Sequence, residues 1–600
     1  MHSNIHLHTF HIPVMGLAYT IDTPLKVARF GISSVISIIE DNLIEKMRSY
    51  YYQKIGERYN PISRKESDYR ARRITDYLNL VNRLVKQQVK EIQSLAFDTG
   101  SEIDQYFEML PDNSKLKLAY NQLKFYKQPE KRQQAEEWLR GQIKPGSIDV
   151  NIMTKLDKES IDANGNIVED GSDAVTALRG YAHSNLTGSS LILSAGMNPR
   201  LFNYIEKTQS FEANSAGQFE KKIVIKVSDY RSALIQGKML AKKGLWVSEF
   251  RIESGLNCGG HAFATDGYLS GPILEEFKNK RQELHSILHD IYSDALKTKG
   301  KTTFENPHHL SITYQGGIGT HAEKELLHQY YGIESTGWAT PFLLVPEVTT
   351  VDKPTLNLLA NAVEKDVVLS RNSPLGVRFH YLKGTSSELE KIKRIEKGTP
   401  GSPCSEKFLV SNTEFTTEPI CTASRTYQKK KISQLQTLQL PQNEYEKQLK
   451  EITDKECLCV GLSNAAVNNY NLAPFLKSTA VNVCPGPNIA YFSQKTSLKK
   501  MVDHIYGRLN ILSDNSRPHF FVKELSLYIN YWNELLAKGK ELNDLKMDNF
   551  IQSFYENLKN GIAYYRDLHC KINLDFAALQ IDDALNSLDK NFNDYYALKI

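Results

Sequence analysis

Two glycines directly before a histidine, in the segment Gly259-Gly260-His261, form the first pattern in this sequence that could do chemistry. Glycine has no Cβ, so the backbone at such a turn can come close to a flat ligand. The imidazole of histidine takes up and releases a proton near neutral pH. The pattern predicts His261 as a catalytic acid or base, with a loop histidine bonded only to backbone as the plainer interpretation.

Two later turns have the small residues expected of an anion site. One contains Gly316 and Gly317 before a predicted helix, and the other contains Ala339 and Thr340. Small residues let backbone N–H groups reach an anion, and the N-terminus of a helix adds a favourable dipole. A tight turn without a ligand explains either segment alone, whereas the two together predict a phosphate site.

These motifs follow predicted strands, so the order of strands and helices decides whether they meet. Short β-branched or apolar segments alternate with helical patterns, which is typical of a parallel sheet. Eight such units favour an α/β fold, a (β/α)8 TIM barrel, with an open doubly wound sheet as the alternative. The strands are predicted at residues 11–18, 34–39, 148–153, 190–194, 223–227, 245–252, 309–314 and 335–340.

The remaining chain divides into regions of different composition. Residues 1–40 and 146–370 form the predicted barrel. Residues 41–145 have apolar side chains at helical spacing and predict a large helical insertion after the second strand. Residues 371–495 predict a loop-rich, cysteine-containing extension, and residues 496–600 predict a C-terminal helical subdomain.

In order, the motifs resemble those of the nitronate monooxygenase (2-nitropropane dioxygenase) superfamily of FMN-dependent TIM barrels, which includes the enoyl reductase of polyunsaturated fatty acid synthases. The resemblance covers about half of the chain. Asn257 and Cys258 stand where the family has Glu-Ala, Ala339 where it has Gly, and Pro341 where it has Arg. The matching segments are Pro13-Val14-Met15-Gly16, Asp149-Val150-Asn151, Asn257-Cys258-Gly259-Gly260-His261, Gln315-Gly316-Gly317-Ile318 and Trp338-Ala339-Thr340-Pro341-Phe342.

This resemblance implies an FMN-dependent oxidoreductase acting on an activated small molecule or an acyl thioester, with NAD(P)H as an electron donor. It implies that His261 handles a substrate proton. Enoyl reduction and nitronate oxidation both stay open, because the same histidine serves either reaction. The residues implied to contact FMN are Met15, Gly16, Asn151, Lys226, Gly259, Gly260, Gly316, Gly317, Ala339 and Thr340.

Three other hypotheses remain at this point. His6 and His8, with His11, resemble the His-x-His on the first strand of a metal-dependent hydrolase barrel, although no Asp follows the eighth strand. A non-catalytic barrel that serves as a scaffold for protein partners is the second hypothesis. The third is a zinc or iron–sulfur site in the extension, whose irregular cysteine spacing fits ordinary thiols equally well. The cysteines concerned are Cys404, Cys421, Cys457, Cys459 and Cys484.

Composition argues against several kinds of partner. The 600 residues include 74 Lys and Arg and 69 Asp and Glu, and the formal charge of +5 is too small to predict nucleic acid binding. No apolar run reaches the ~18 residues of a membrane span, and the first residues lack a signal-peptide pattern. Seven cysteines, an odd number, fit a reducing cytoplasm. The sequence leaves a homo-oligomer open.

Overall fold

A parallel sheet of eight strands forms the centre of the computed structural model. The described residues are 7–153, 156–161, 165–194, 196–259, 262, 265–514, 516–541, 544–572 and 581–597. The strands are β1 (Phe10–His11), β2 (Ser34–Ser37), β3 (Ile148–Ile152), β4 (Ser189–Leu193), β5 (Lys221–Val227), β6 (Val247–Glu253), β7 (Ser311–Gln315) and β8 (Ser335–Gly337).

The sheet closes into a barrel. Its strand order is β1-β8-β7-β6-β5-β4-β3-β2, and Ile12, just after β1, forms a parallel bridge with Ser34 of β2. Side chains of Val35, Ile192 and Val224 form a buried layer inside it. The predicted (β/α)8 TIM barrel is therefore confirmed, and the open doubly wound sheet is excluded.

The first strand is much shorter than the predicted residues 11–18. Pro13 has no N–H group to donate to a sheet ladder, and Gly16 adopts φ +56°, a left-handed conformation that strands do not use. The segment after β1 therefore turns across the end of the barrel instead of extending the strand.

A helical insertion follows the second strand, as predicted. The short helix α1 (Thr23–Val27) joins β1 to β2. After β2 the chain forms five helices before it returns to β3: α2 (Asp41–Lys54), α3 (Tyr69–Ser94), α4 (Glu102–Met109), α5 (Lys115–Gln122) and α6 (Pro129–Gln142).

Each strand from β3 to β7 is followed by one helix of the outer ring. Side-chain caps fix where several of these helices begin: Asp229 accepts a hydrogen bond from Ser232 N, and Thr320 and Glu323 form a capping box. The helices are α7 (Asp173–Ala182), α8 (Pro199–Lys207), α9 (Tyr230–Ala241), α10 (Ser270–Thr298) and α11 (His321–Gln329).

The insertion is fixed to the barrel by the packing of α3 on α7. A Cβ at Gly180 of α7 would lie 2.7 Å from the Ala71 carbonyl oxygen of α3, so glycine permits the close approach of the two helices. Thr75 Oγ1 donates to the Gly180 carbonyl at 2.8 Å. These contacts make the insertion part of the same hydrophobic core as the barrel.

The chain after β8 is mainly helical, as predicted, and it contains an antiparallel hairpin that the sequence did not predict. Helix α12 (Lys353–Ala360) precedes the hairpin strands β9 (Val367–Ser370) and β10 (Phe379–Leu382). The later helices are α13 (Ser386–Glu396), α14 (Arg425–Thr437), α15 (Gln442–Thr453), α16 (Leu458–Asn469), α17 (Leu498–Ile505), α18 (Phe520–Glu541), α19 (Leu545–Ile572) and α20 (Ile581–Ala597).

No helix within the described ranges combines the length and the apolarity needed to cross a membrane. The domain boundaries at residues 40, 146, 371 and 496 stay predictions, because the hydrophobic core runs from β1 to α20 as one cluster.

We expect Gly146→Ala to lower the free energy of unfolding by about 1–3 kcal/mol. A Cβ at this position would overlap the Ile32 carbonyl group, and Gly146 N also donates to Ala28 O at 2.8 Å, so the backbone has little room to move. The matched control is Gly141→Ala in α6, whose Cβ would have no described atom within 4 Å.

Because alanine favours helix, the control should raise stability by up to about 1 kcal/mol. Denaturant unfolding followed by circular dichroism measures both variants. Equal effects of the two substitutions would contradict the close contact between Gly146 and Ile32.

Candidate active site

An apolar cavity lies at the carboxyl ends of the barrel strands and has a volume of about 180 Å³. This is the end at which barrel enzymes place their active sites. Seven of the eight strands contribute a residue at or shortly after their ends: Gly16, Ser37, Asn151, Ser194, Lys226, Glu253 and Gln315.

Three charged or polar side chains form a connected group on the floor of this cavity. Lys226 Nζ lies 3.0 Å from Glu253 Oε1, and Gln315 Nε2 donates to the same oxygen at 2.7 Å. The charges of Lys226 and Glu253 therefore compensate each other, and the glutamine amide is held in one orientation.

Two amide oxygens of the floor could accept hydrogen bonds from a ligand. Asn151 Oδ1 and Gln315 Oε1 are buried, and neither has a hydrogen-bond partner among the described residues. A buried acceptor without a donor costs about 1–3 kcal/mol. Both residues line the cavity, so an N–H group of a ligand there could satisfy these acceptors.

A second, much smaller pocket adjoins the first, since Cys258 and Gln315 line both. The turns after β7 and β8 face each other across it, with Gly316 and Gly317 on one side and Ala339 and Thr340 on the other. Its volume is about 10 Å³, roughly the room for one water molecule. A phosphate group would need a small outward movement of the surrounding loops.

The backbone of the β7 turn is arranged to present N–H groups to this pocket. Gly316 and Gly317 have φ +107° and +83°, and no hydrogen bond among the described residues uses the N–H of Gly317 or that of Ala339. The Gly317 carbonyl is held by Asn488 Nδ2 at 2.8 Å and by Arg517 Nη2 at 2.6 Å. With the carbonyl fixed by these donors, the turn can offer N–H groups to an anion.

Side chains are excluded at the two glycines of this turn. A Cβ at Gly316 would lie 2.5 Å from Ser254 Oγ, and a Cβ at Gly317 would lie 2.6 Å from Leu256 Cδ1. The β6 loop therefore packs directly against the β7 turn, which only glycine allows.

The cysteine-containing extension forms an apolar roof over the larger cavity. Gly259 N donates to the Cys484 carbonyl at 3.0 Å, and the Tyr19 hydroxyl donates to the Asn482 carbonyl. These bonds tie the extension to the β6 and β1 loops. The roof side chains that line the cavity are Leu375, Phe379, Phe408, Leu409, Leu458, Leu462 and Val483.

The sequence-predicted residues fall into two groups. Gly16, Asn151, Lys226 and Gly259 line the larger cavity, and Gly316, Gly317, Ala339 and Thr340 line the smaller one. A Cβ at Gly259 would lie 3.4 Å from Gly16 N, so the β1 and β6 loops meet.

Three predicted residues are not seen in either cavity. Met15 is fully buried in the core, and its backbone N donates to Thr20 Oγ1 at 3.3 Å. Gly260 and His261 lie outside the described residues. The predicted role of His261 therefore stays a prediction.

Sequence reasoning missed Glu253, Gln315 and Glu40 as site residues. Glu253 and Gln315 are the last residues of β6 and β7, so their positions at strand ends could have identified them. Glu40 precedes α2, caps it by accepting from Leu43 N at 2.7 Å, and lines the cavity. No sequence signal separates this role from an ordinary helix cap.

Other candidate groups have structural partners. Burial raises the pKa of the Cys258 thiol, so it stays protonated near neutral pH. His8 is buried and contacts Tyr506 Oη at 3.0 Å and Phe30 O at 3.2 Å, and burial lowers its pKa to about 4. His6 lies outside the described residues. Among the described residues, no group of metal ligands favours the metal-dependent hydrolase.

Comparisons with known proteins add little to this geometry. No protein-family model and no curated protein matches the chain. Among solved structures it is similar to the enoyl reductase domain of MlnA from the macrolactin biosynthesis cluster of Bacillus amyloliquefaciens, at 14% identity and a TM-score of 0.33. The match covers 66% of this chain and 85% of that one. A likeness at this TM-score carries no argument about function.

We expect the stability conferred by Glu40 to depend on pH. Burial, reinforced by the charges of Asp41 and Glu406, raises the pKa of the Glu40 carboxyl from 4.5 to about 8. Between these values the unfolded chain loses this proton while the folded chain keeps it. The free energy of unfolding therefore falls as the pH rises, by about 1.4 kcal/mol per pH unit at most.

The variant Glu40→Gln cannot ionise, so its stability relative to the wild type should rise from about pH 4.5 to about pH 8 and then level off. Unfolding midpoints of both proteins across this range measure the difference. A constant difference would show that the carboxyl is already ionised in the folded protein at low pH.

Proposed function

We propose that this chain is an FMN-dependent oxidoreductase of the enoyl reductase type, acting on an activated acyl substrate. The observation that carries the proposal is the pair of buried, unpartnered amide oxygens, Asn151 Oδ1 and Gln315 Oε1. They lie in an apolar cavity next to two turns with uncommitted N–H groups. The ring of a flavin has one N–H group when oxidised and gains another when reduced, and FMN ends in a phosphate. The amide oxygens could therefore accept from the ring, and the N–H groups of the turns could donate to the phosphate.

The phosphate is assigned to the smaller pocket. The N–H groups of Gly317 and Ala339 would donate to its oxygens, with the Thr340 hydroxyl beside them. Charge compensation would come mainly from backbone dipoles, because Pro341 stands where the family has Arg and the nearby Arg517 is paired with Glu323 at 2.7 Å.

The flavin ring is assigned to the larger cavity. Gly16 and Gly259 have no side chains, so a flat ring can lie close to the backbone of the β1 and β6 loops. Asn151 and Gln315 would accept hydrogen bonds from the polar edge of the ring. When bound, FMN supplies reversible hydride transfer, a chemistry that side chains lack.

The apolar roof supports an acyl substrate over a small anion. Phe379, Phe408 and Leu409 are among the side chains that close the cavity from above. They exclude water and suit a hydrocarbon chain, whereas a small nitronate anion would find no unpaired cation among the described residues of the floor, where Lys226 is bonded to Glu253. NAD(P)H is the proposed electron donor, and the resemblance assigns His261 to hold the substrate carbonyl or to supply a proton.

The purified protein should carry FMN that is released by denaturation, and riboflavin should bind more weakly because it lacks the phosphate. We expect Asn151→Ala to weaken FMN binding by about two- to tenfold. Loss of Asn151 Oδ1 should cost the apo form no hydrogen bond, because this oxygen has no partner among the described residues.

The matched control is Asn82→Ala. Asn82 is also buried, but its amide donates to Asn185 O at 2.9 Å, far from the cavity. This variant should lose stability and keep the FMN affinity. Quenching of flavin fluorescence measures affinity, and equal affinities of the two variants would remove Asn151 from the flavin site.

We expect His261→Ala to retain FMN and to lose turnover by roughly 10²–10⁴-fold, the usual contribution of a general acid. The assay is NADPH oxidation stimulated by an enoyl thioester. The control is His309→Ala, an exposed histidine that precedes β7 and so lies at the opposite end of the barrel. Unchanged turnover in His261→Ala would exclude the proton role. Oxygen uptake with an alkyl nitronate, without any response to NADPH, would instead favour the monooxygenase reaction.

A further inference from the structure

Four cysteines of the extension converge on one small pocket next to the roof of the candidate active site. Cys404, Cys421, Cys457 and Cys459 line a space of about 10 Å³, and Cys459 also lines the larger cavity. All four are free thiols. Within the described ranges, no three His, Cys, Asp or Glu side chains are arranged to hold a metal ion. Neighbouring free thiols can form a disulfide by thiol–disulfide exchange.

The backbone brings two of these cysteines together. Ser402 and Ser424 form a parallel bridge, and Ser402 N donates to Ala423 O at 2.9 Å, so the segments that flank the loop 404–421 are neighbours. Both side chains line the same small pocket, and they are close enough for each thiol to shift the pKa of the other.

The two thiols have different surroundings. The neighbouring Cys421 thiol, together with the N–H of Lys407, lowers the pKa of Cys404 to about 7, and Cys404 is partly exposed. Cys421 is 6% exposed, and its pKa is raised by the neighbouring Cys404 and by burial. An accessible thiolate next to a buried thiol is the arrangement of an attacking and a resolving cysteine.

We propose that Cys404 and Cys421 are a redox-active pair that closes into an intramolecular disulfide by exchange with a small-molecule disulfide such as oxidised glutathione. The Cys404 thiolate attacks one sulfur of that disulfide, forming a mixed disulfide and releasing one glutathione thiolate. Cys421 then loses its proton and attacks Cys404 Sγ, which releases the second glutathione. The two cysteines lose two electrons and two protons, and oxidised glutathione becomes two thiols.

The loop that this disulfide would close is part of the roof. It carries Phe408 and Leu409 into the larger cavity, and Glu406 Oε2 accepts from Asn42 Nδ2 of α2 at 2.7 Å. Oxidation would therefore tie both ends of a roof segment together. This inference concerns the roof alone and does not rest on the proposed flavin chemistry.

The wild-type protein tests the proposal directly. After treatment with oxidised glutathione, alkylation and digestion, mass spectrometry should find a peptide linked between Cys404 and Cys421. The variant Cys421→Ser should accumulate glutathione on Cys404. In the variant Cys404→Ser, the free thiol of Cys421 should be oxidised at least about tenfold more slowly. Cys457→Ser is the matched control, because burial raises the pKa of Cys457, and this variant should still form the link.

Exposed Cys570 reports that the reagent has worked. Glutathione on Cys570 without a link between Cys404 and Cys421 would overturn the proposal, as would a link that uses Cys457 or Cys459 instead. Stoichiometric zinc or iron that protects Cys404 until a chelator is added would also overturn it. Proteolytic cleavage within residues 405–420 should be slower in the protein with the disulfide between Cys404 and Cys421. Equal cleavage rates in the reduced and the oxidised protein would refute the proposal that oxidation ties this roof segment together.

Discussion

The common direction of the eight barrel strands is the constraint on which the rest of the site depends. Because the strands are parallel and the sheet is closed, all their carboxyl ends lie at one end of the barrel. Residues that are hundreds of positions apart in sequence, such as Gly16, Asn151 and Gln315, therefore line one cavity. An open sheet would have separated the turn after β8 from the segment after β1, which here are neighbours.

The roof changes the physical character of this end of the barrel. Interactions between charges and dipoles are stronger where water is excluded. The ion pair of Lys226 and Glu253 is therefore stronger than it would be at an open rim, and the unpartnered oxygens of Asn151 and Gln315 would bind a donor more strongly. Part of the extension after β8 forms this roof. Small parallel barrels leave the rim to the βα loops alone, whereas here the segment around Cys484 bonds directly to the β6 loop.

Much of the barrel could be predicted from the sequence, and the reasons for the failures are physical. The strands β3 to β8 and the helices after them have strong periodic patterns and punctuating caps, such as Asp229 and Thr320. The predicted end of β1 was wrong, because Pro13 and the positive φ of Gly16 end the strand although the apolar pattern continues. The small-residue turns after β7 and β8 line one pocket, as the sequence predicts, because a barrel brings adjacent strand ends together.

The roof could not be predicted, because its contacts join residues without any local signal. Phe408 and Leu409 lie in a loop of mixed composition, and nothing in that loop indicates that it covers a cavity. The hairpin of β9 and β10 was missed for a related reason: its strands are four residues each, too short for a clear alternating pattern. Glu40 likewise has an ordinary capping sequence, and only its tertiary surroundings shift its proton affinity.

The first strand depends on a part of the chain that is made much later. β1 has two residues, and its flank is held by Tyr506, whose hydroxyl contacts His8 Nδ1 at 3.0 Å and accepts from Thr9 N at 3.4 Å. Tyr506 leaves the ribosome after β8 by an interval of roughly ten to thirty seconds at usual rates of synthesis. During that interval the seam between β1 and β8 must form without the support of Tyr506.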